Sequence, residues 1–180
     1  MSRPQPPKPA KLVIGFFLKE KHFGRAVIKA LVEKFGPVDM VSSWLPFDFT
    51  TYYNNEMGTP LFRRLAGFKQ LIQQRDLPQI KLATNAFEHQ YSFGGKRSVN
   101  IDPGYLLNER FVLATGKNYS HRIYIGKGIY ADLTLIYTHG RFEPLPWTYP
   151  DYASDNIIDF LEKARKKYRF DTKQAGTSSV

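Results

Sequence analysis

KLVIGFFL, residues 11–18, is a continuous apolar run of the length of one β-strand. Such a run indicates a strand covered on both faces, and we therefore predict that it lies at the centre of a sheet. Apolar residues then recur at helical spacing through residues 23–35, and Gly36-Pro37 is typical of a helix end. Residues 38–45 form the next predicted strand, so the chain is expected to open as β-α-β.

Three further helices are predicted from the spacing of apolar residues. They would begin at Thr59-Pro60, near Pro78 and at Asp155. The first would bury Leu61, Leu65, Phe68 and Ile72. The second would place three polar side chains where they can meet on the helix surface, namely Lys81, Asn85 and Glu88. The last would turn five side chains inward: Ile157, Ile158, Leu161, Ala164 and Tyr168.

The pattern changes from helical to extended after Gly94-Gly95. Asp102-Pro103-Gly104 fits a type II turn, because proline and glycine occupy the positions that such a turn favours. Residues 103–114 are ambiguous. The predicted strands are residues 98–102, 111–115, 121–125 and 129–137.

Together these elements predict an α/β protein of the α+β type, with a mixed β-sheet packed by three to four helices. Four prolines within residues 1–10 indicate a disordered, proline-rich arm, and residues 171–180 are expected to form a disordered tail. Between them we predict a single globular domain, residues 11–170, because neither a repeat nor a linker interrupts this part of the sequence.

HRIYIGKGIYADLTL, residues 121–135, predicts an antiparallel hairpin of residues 121–125 with 129–137. A loop of Gly126-Lys127-Gly128 fixes the pairs Ile125–Ile129, Tyr124–Tyr130, Ile123–Ala131 and Arg122–Asp132. In this register the aliphatic residues share one face, whereas a slip by one residue would scatter them over both faces. The opposite face then carries Arg122, Tyr124, Tyr130, Asp132 and Thr134.

The polar face of this hairpin has two interpretations. In one, Arg122 and Asp132 form a cross-strand ion pair, and Tyr124 and Tyr130 form a ring pair, both of which stabilise the sheet. In the other, the same residues line a pocket. There the arginine would bind a phosphate or carboxylate, and the tyrosines would flank it.

Other residues near the hairpin are candidates for binding or catalysis. Lys117 and Lys127 each follow a glycine and are candidate anion-binding residues, although such sequences are also common in turns. His121, Asp102 and Asp132 are candidate acids or bases, while an ordinary strand-end histidine is the alternative for His121.

Acidic residues at strand ends are the candidate metal ligands. Asp48 and Asp102 each follow or end a predicted strand, and Glu56 lies shortly after Asp48. Carboxylates in such places can hold a hard divalent cation, Mg²⁺ or Mn²⁺. The alternative is that Asp48 caps a turn and that Glu56 is solvated.

Composition limits the class of protein. The chain of 180 residues contains no cysteine, which excludes disulfides and cysteine metal sites. No apolar segment is long enough to span a bilayer, and the N-terminus lacks the apolar core of a signal peptide, so we predict a cytoplasmic location. The protein is basic, with a formal net charge of +10, which favours anionic partners such as nucleotides or nucleic acid.

Four ordered segments carry a resemblance to a known family. They are PFDFTTYYNNEMG (46–58), NIDPGY (100–105), LATGKNYSHRIYIGKGIYADLTL (113–135) and WTYPDY (147–152). On these segments the chain resembles, over about residues 10–168, a family of short bacterial proteins named domain of unknown function four-four-one-six. Members are sometimes described as GTP-binding proteins. This sequence, however, has neither a phosphate-binding P-loop nor an Asn-Lys-x-Asp element for guanine.

Two functions remain open. The first is binding of a phosphorylated small ligand or nucleotide, with a divalent cation, in a polar pocket beside the hairpin. The second is a non-enzymatic RNA-associated or protein-binding module that uses the basic surface. The sequence does not decide whether the protein is an enzyme.

Overall fold

The computed structural model describes residues 2–177, with side chains through residue 173. Within these residues the helices are α1 (Gly24–Phe35), α2 (Asn54–Met57), α3 (Leu77–Gln90) and α4 (Asp155–Thr177). The strands are β1 (Ala10–Leu18), β2 (Val38–Val41), β3 (Leu45–Pro46), β4 (Phe62–Ile72), β5 (Ser92–Phe93), β6 (Lys96–Arg97), β7 (Val99–Leu106), β8 (Arg110–Thr115), β9 (Arg122–Gly126), β10 (Ile129–Thr138) and β11 (Arg141–Pro144). One large sheet packed by helices confirms the predicted α+β class.

The main sheet has the strand order β11-β10-β8-β7-β1-β4-β2, with β3 beside β4 and β9 beside β10. β1 lies between β4 and β7, which confirms that the apolar run at the start of the chain is central. Leu12, Ile14 and Phe16 pack under α1 and α3, whereas Val13 packs on the opposite face with α4. A strand buried on both faces needs apolar residues at nearly every position. The sequence supplies them except at Lys11, which is buried and pairs with Asp39 at 2.9 Å.

The opening β-α-β unit is present, but its two strands are not neighbours. β1 and β2 both pair antiparallel with β4, which lies between them. They therefore run parallel to each other across one intervening strand, as in a split β-α-β unit. Each pairing between neighbouring strands of the described residues is antiparallel, so the sheet is antiparallel and not the mixed sheet that the sequence predicts.

The helix predicted from Thr59-Pro60 is wrong, because this segment forms β4. The spacing of its apolar residues happens to match a helical period. In the extended conformation Leu65 and Phe68 instead join the cores on opposite faces of the sheet. Pairing with β1 on one side and β2 on the other decides the structure. Arg63 consequently points into the protein rather than to solvent.

The type II turn predicted at Asp102-Pro103-Gly104 is also wrong, because β7 runs straight through it. Gly104 does not have the positive φ that such a turn requires. Its role is to permit close approach, since a Cβ atom there would lie 2.6 Å from the carbonyl oxygen of Val112 on β8. The ambiguous residues 103–114 form the end of β7 and most of β8.

The hairpin of β9 and β10 confirms three of the four predicted pairs: Tyr124–Tyr130, Ile123–Ala131 and Arg122–Asp132. The fourth is wrong, because Ile129 pairs with Gly126 and a bulge follows. Lys127 and Gly128 both have positive φ, 56° and 75°, as in a two-residue type I′ turn. The turn is therefore tighter than the three-residue loop that the sequence suggested.

Helix α4 begins at Asp155 as predicted, and its five predicted inward residues are buried. It continues to Thr177, past the boundary placed at residue 170, and residues 178–180 lie outside the described part of the chain. The hydroxyl group of Tyr168 donates to the carbonyl oxygen of Pro9, where the N-terminal arm meets β1. None of the helices in the described residues is long and apolar enough to cross a membrane.

Candidate functional site

A cleft with a volume of about 970 Å³ opens between α3, the sheet and two irregular segments. The first segment is the connection from β3 to α2, and the second is the Trp-Thr-Tyr-Pro-Asp-Tyr strap before α4. Its walls are rich in aromatic rings, from Phe47, Phe49, Tyr52, Tyr53, Tyr149 and Tyr152. Its ionisable lining residues are Arg63, Lys81, Glu88, His89, Arg97, Asp102, Lys117, Asp132 and Asp151, together with the tyrosines.

The floor cluster of the cleft consists of Arg63, Asp102, Asp151 and Tyr152. Arg63 projects from β4, and its side chain is 4% exposed. Its NH2 group donates to Asp102 at 3.1 Å, and its NH1 group lies 2.9 Å from Asp151. Rings of Phe17, Phe47 and Tyr152 surround the guanidinium, with centroids 4.8–5.1 Å from Cζ. The cation is thus held by two carboxylates inside an aromatic cage.

The ionisation of the floor cluster reflects its burial. Burial alone would lower the pKa of Arg63, but Tyr152, Asp151 and Asp102 raise it, so the arginine is charged. Burial raises the pKa of Asp151 in spite of the opposing charge of Arg63. Burial also raises the pKa of the Tyr152 phenol, which therefore stays neutral. Burying the Asp151 carboxyl group thus carries a desolvation cost, which the charge of Arg63 offsets in part.

Hydrogen bonding in the floor cluster is incomplete. Six buried side-chain atoms of the described residues lack a hydrogen bond of good geometry, and four of them belong to Arg63, Asp151 and Tyr152. Two of these four, NH1 of Arg63 and Oδ2 of Asp151, lie 2.9 Å apart as an ion pair. The Tyr152 hydroxyl lies over Gly15 of β1, where a Cβ atom would be 2.7 Å away. Buried polar groups are nearly always hydrogen-bonded, so this concentration requires an explanation.

A second arginine, Arg97 of β6, connects three segments around the cleft. Its Nε and NH2 groups donate to both oxygens of Glu56 at 2.6 and 2.8 Å. Its NH1 group donates to Glu88 at 3.2 Å and to Asn100 at 2.9 Å. The hydrogen bond from Arg97 lowers the pKa of Glu56, whereas burial raises the pKa of Glu88. Arg97 therefore binds two carboxylates whose pKa values are shifted in opposite directions.

The polar line predicted on the third helix does bring Lys81 and Glu88 together, with Nζ and Oε1 3.9 Å apart. Lys81 donates to the carbonyl oxygen of Ile101 at 2.8 Å, and Glu88 accepts from the backbone N–H of Ile101 at 2.6 Å. Asn85 also lines the cleft. These contacts fasten α3 to β7.

The third arginine, Arg122, lies behind the rim of the cleft. Its Nε donates to Asp132 at 2.9 Å, its NH1 to the carbonyl oxygen of Lys117 at 3.0 Å, and its NH2 to the hydroxyl of Tyr149 at 2.8 Å. His121 also contacts Asp132, at 3.3 Å. Arg122 and Asp132 thus share the face that the register predicts. Protein acceptors engage all three guanidinium nitrogens of Arg122.

The lining of the cleft is electrically balanced. Its four carboxylates, on Glu88, Asp102, Asp132 and Asp151, each lie within 3.2 Å of an arginine nitrogen. Four cationic side chains line it as well, and the formal charges cancel. The ammonium group of Lys117 forms no ion pair with the described residues and contacts the Tyr52 hydroxyl at 3.3 Å. Lys117 is therefore the lining cation most available to an anion.

The predicted site residues are only partly brought together. Asp102, Asp132 and Lys117 line the cleft, and Glu56 holds Arg97, which lines it. Asp48 lines a smaller neighbouring cleft of about 190 Å³. The predicted metal set of Asp48, Glu56 and Asp102 therefore does not converge, and the described residues contain no group of three acidic or histidine side chains arranged to hold a metal.

The remaining predicted residues of the hairpin lie outside the lining of the cleft. Tyr124 and Tyr130 form an edge-to-face ring pair with centroids 5.4 Å apart. Lys127 contacts the side chain of Gln79 on α3. For these three residues the structure favours the interpretation in which they stabilise the hairpin.

Sequence reasoning missed the floor cluster, apart from Asp102. Arg63 projects from β4, in a segment for which the sequence predicts a helix, and Asp151 and Tyr152 lie in a segment that the sequence analysis uses only for the family resemblance. One signal was present. Each of the four segments that carry the family resemblance contributes lining residues to this cleft, although they are far apart in the sequence.

Fold and site together define an α+β protein with one large cleft whose ionic groups are bridged by arginines. Within that class the chain belongs to the family DUF4416, domain of unknown function, whose model matches residues 8–168. Neither the curated proteins nor the solved structures contain a match to this chain.

Proposed function

We propose that the cleft binds a phosphorylated small molecule of the nucleotide class. The observation that carries the proposal is the floor cluster, whose residues Arg63, Asp102, Asp151 and Tyr152 together line a cleft of about 970 Å³, and in which Nε of Arg63 and the Tyr152 hydroxyl lack a hydrogen bond of good geometry. A cleft of this size matches the usual volume of small-molecule sites. Ring nitrogens and oxygens of such a ligand would supply hydrogen-bond partners for polar side chains of the lining.

The walls suit a planar ring. Phe49, Tyr52 and Tyr149 line the cleft and remain substantially exposed, so their ring faces are accessible. Aromatic side chains stack on heterocyclic rings with little sequence or substituent preference. A ring inserted between these side chains would lie with its edge toward the floor cluster.

The phosphate is assigned to the Thr115-Gly116-Lys117 turn, which lines the cleft after β8. Lys117 has no competing ion pair in the described residues, and the backbone N–H of Lys117 is held by the Thr115 hydroxyl at 3.1 Å. The balanced charge of the lining gives little local attraction. The net charge of +10 supplies attraction at long range instead.

A divalent cation, if it takes part, would enter with the ligand. Each carboxylate of the lining already has an arginine partner, whereas Mg²⁺ commonly binds one or two carboxylates together with substrate phosphates. Catalytic roles for Asp102, His121 and Asp132 remain predictions, as does the cytoplasmic location.

Calorimetric titration with nucleoside mono-, di- and triphosphates, with and without Mg²⁺, tests the proposal. We expect one ligand per chain, and about tenfold weaker binding to the Lys117→Ala variant, because a charged hydrogen bond is lost. Lys163→Ala, an exposed lysine on α4, is the matched control and should bind normally. Absence of binding by every nucleotide, under both conditions, would overturn the proposal.

A further inference from the structure

The rim of the cleft carries four exposed aromatic rings, two of which do not line the cleft. Tyr52 and Tyr149 lie at the cleft itself, and Tyr119 and Trp147 lie beyond it. Tyr52 is 65% exposed and Tyr119 is 67% exposed. Large exposed rings that gather in one region of a surface mark an interaction site.

A chain of contacts joins these rings into one surface, the aromatic rim, defined as Tyr52, Lys117, Tyr119, Trp147 and Tyr149. Lys117 contacts the Tyr52 hydroxyl at 3.3 Å, and its ammonium group lies 4.7 Å from the centre of the Tyr52 ring. Tyr149 accepts a hydrogen bond from Arg122 at 2.8 Å. The rim therefore begins inside the cleft and runs outward.

His121 holds the outer part of the rim. The ring of Trp147 stacks on His121, with centroids 5.1 Å apart and an angle of 11°, and Tyr119 meets His121 edge-on at 5.3 Å. His121 is in turn held by Asp132, and Trp147 donates to the carbonyl oxygen of Leu133 at 2.8 Å. Trp147 is thus fixed in the position in which the fold presents it, and such preorganisation lowers the entropic cost of binding.

We propose that the aromatic rim binds a single-stranded nucleic acid whose terminal nucleotide occupies the cleft. This inference rests on the proposed function and extends it from a free nucleotide to the end of a chain. Rings on which bases can stack, next to a lysine that has no ion pair among the described residues and on a basic protein, are the features of single-strand binding surfaces. The rim has four rings and one lysine, so stacking rather than charge would supply most of the binding, which suits bases better than acidic side chains.

Arg122 acts here as a positioning residue. It joins the carbonyl oxygen of Lys117, the carboxylate of Asp132 and the hydroxyl of Tyr149, and so links the inner and outer parts of the rim. The polar hairpin face predicted from sequence therefore supports the binding surface from behind.

Fluorescence anisotropy with labelled single-stranded RNA and DNA oligomers of about ten nucleotides tests the inference. We expect the oligomers to bind at least tenfold more tightly than the corresponding mononucleotide. Their affinity should fall as the salt concentration rises. A duplex of the same sequence should bind more weakly, because its bases are not free to stack. RNA and DNA of the same sequence show whether the sugar matters.

Tyr119→Ala is the decisive variant, because Tyr119 belongs to the rim but does not line the cleft. It should weaken oligomer binding about tenfold, the loss of one stacked base, and leave mononucleotide binding unchanged. The matched control is Phe170→Ala, which removes a ring that is 60% exposed on α4.

The outcomes separate the two proposals. Mononucleotide binding without tighter oligomer binding, or oligomer binding that Tyr119→Ala leaves unchanged, would overturn the nucleic-acid inference and leave the proposed function intact. Failure of both mononucleotide and oligomer to bind would overturn both.

Discussion

Arg63 and Arg122 each bridge acidic and phenolic groups at the same cleft, yet their surroundings differ. Arg63 lies in the floor beside two carboxylates and a tyrosine, with Nε and NH1 lacking hydrogen bonds of good geometry. Arg122 lies behind the rim, and its Nε, NH1 and NH2 groups each have an acceptor at 2.8–3.0 Å. The hydrogen bonding of Arg63 is thus incomplete, as in a binding site without its ligand, whereas that of Arg122 is complete, as expected of a structural residue.

The difference between the two arginines shows where a bound ligand can form additional hydrogen bonds. A group whose hydrogen bonds are all formed gains little from a ligand. A group whose hydrogen bonds are incomplete can gain new ones when a ligand binds. The arginine that sequence reasoning selected as the ligand residue, Arg122, is the one already satisfied. The arginine that it overlooked, Arg63, is the one with bonding capacity left.

Arg63→Ala should have the largest effect on stability, a loss of about 3–5 kcal/mol in the free energy of unfolding. It would leave Asp151 buried without its counter-charge, and breaking a buried pair from one side is costly. Arg122→Ala should cost about 1.5–3 kcal/mol, the range for hydrogen bonds to a charged group. Urea unfolding at neutral pH measures both.

Arg64→Ala is the control for this comparison. Arg64 follows Arg63 on β4 but packs on the ring of Trp44 and donates to the carbonyl oxygen of Ser42. It forms no ion pair in the described residues, so we expect a loss below about 1 kcal/mol. Equal losses for Arg63→Ala and Arg122→Ala would contradict the distinction between floor and rim.

Gly15→Ala tests the geometry of the floor cluster with an intermediate effect. The added Cβ atom would lie 2.7 Å from the Tyr152 hydroxyl and 3.5 Å from NH1 of Arg63. Overpacking of this kind typically costs about 1–3 kcal/mol. The same contact should displace Tyr152 and weaken nucleotide binding.

Tyr152→Phe provides the matching rescue, because it removes the hydroxyl group that the new methyl group would strike. The double variant should recover most of the stability lost in Gly15→Ala. A double-mutant cycle in urea measures this coupling. Additive losses would show that the Tyr152 hydroxyl does not set the close approach over β1.

The contrast between the two arginines also explains what could be read from the sequence. Asp132, the carboxylate partner of Arg122, lies on the same hairpin, so a register argument finds it from local pattern alone. Arg63 meets Asp102 and Asp151 only when β4, β7 and the strap are assembled. Contacts between distant segments leave no periodic signal in the sequence.

The fold was predictable to the same extent. β1, α1, α3, α4 and the two hairpin strands have a clear period, and each lies where the sequence placed it, although the hairpin turn is tighter than predicted. β4 and β7 were misread because their local signals, a helix-like spacing and a proline-glycine pair, were overridden by pairing with β1. The pairing of β4 and β7 with β1 also creates the floor cluster, since Arg63 and Asp102 project from these two strands.

The smallest expected effect concerns Glu56, which shares Arg97 with Glu88. The hydrogen bond from Arg97 lowers the pKa of Glu56 below its ordinary 4.5, so this carboxylate stabilises the fold above that value and the contribution disappears as the pH falls through the lowered pKa. Burial raises the pKa of Glu88, so ionisation of Glu88 has the opposite effect on stability, because its ionised form is disfavoured in the folded state.

Since the Arg97–Glu56 pair is partly exposed, Glu56→Gln should cost at most about 1 kcal/mol at pH 7. Urea unfolding of the variant and the wild type between neutral and acidic pH should show the two stability curves converging below pH 4.5. Curves that stay parallel would mean that Glu56 contributes through packing rather than through its charge.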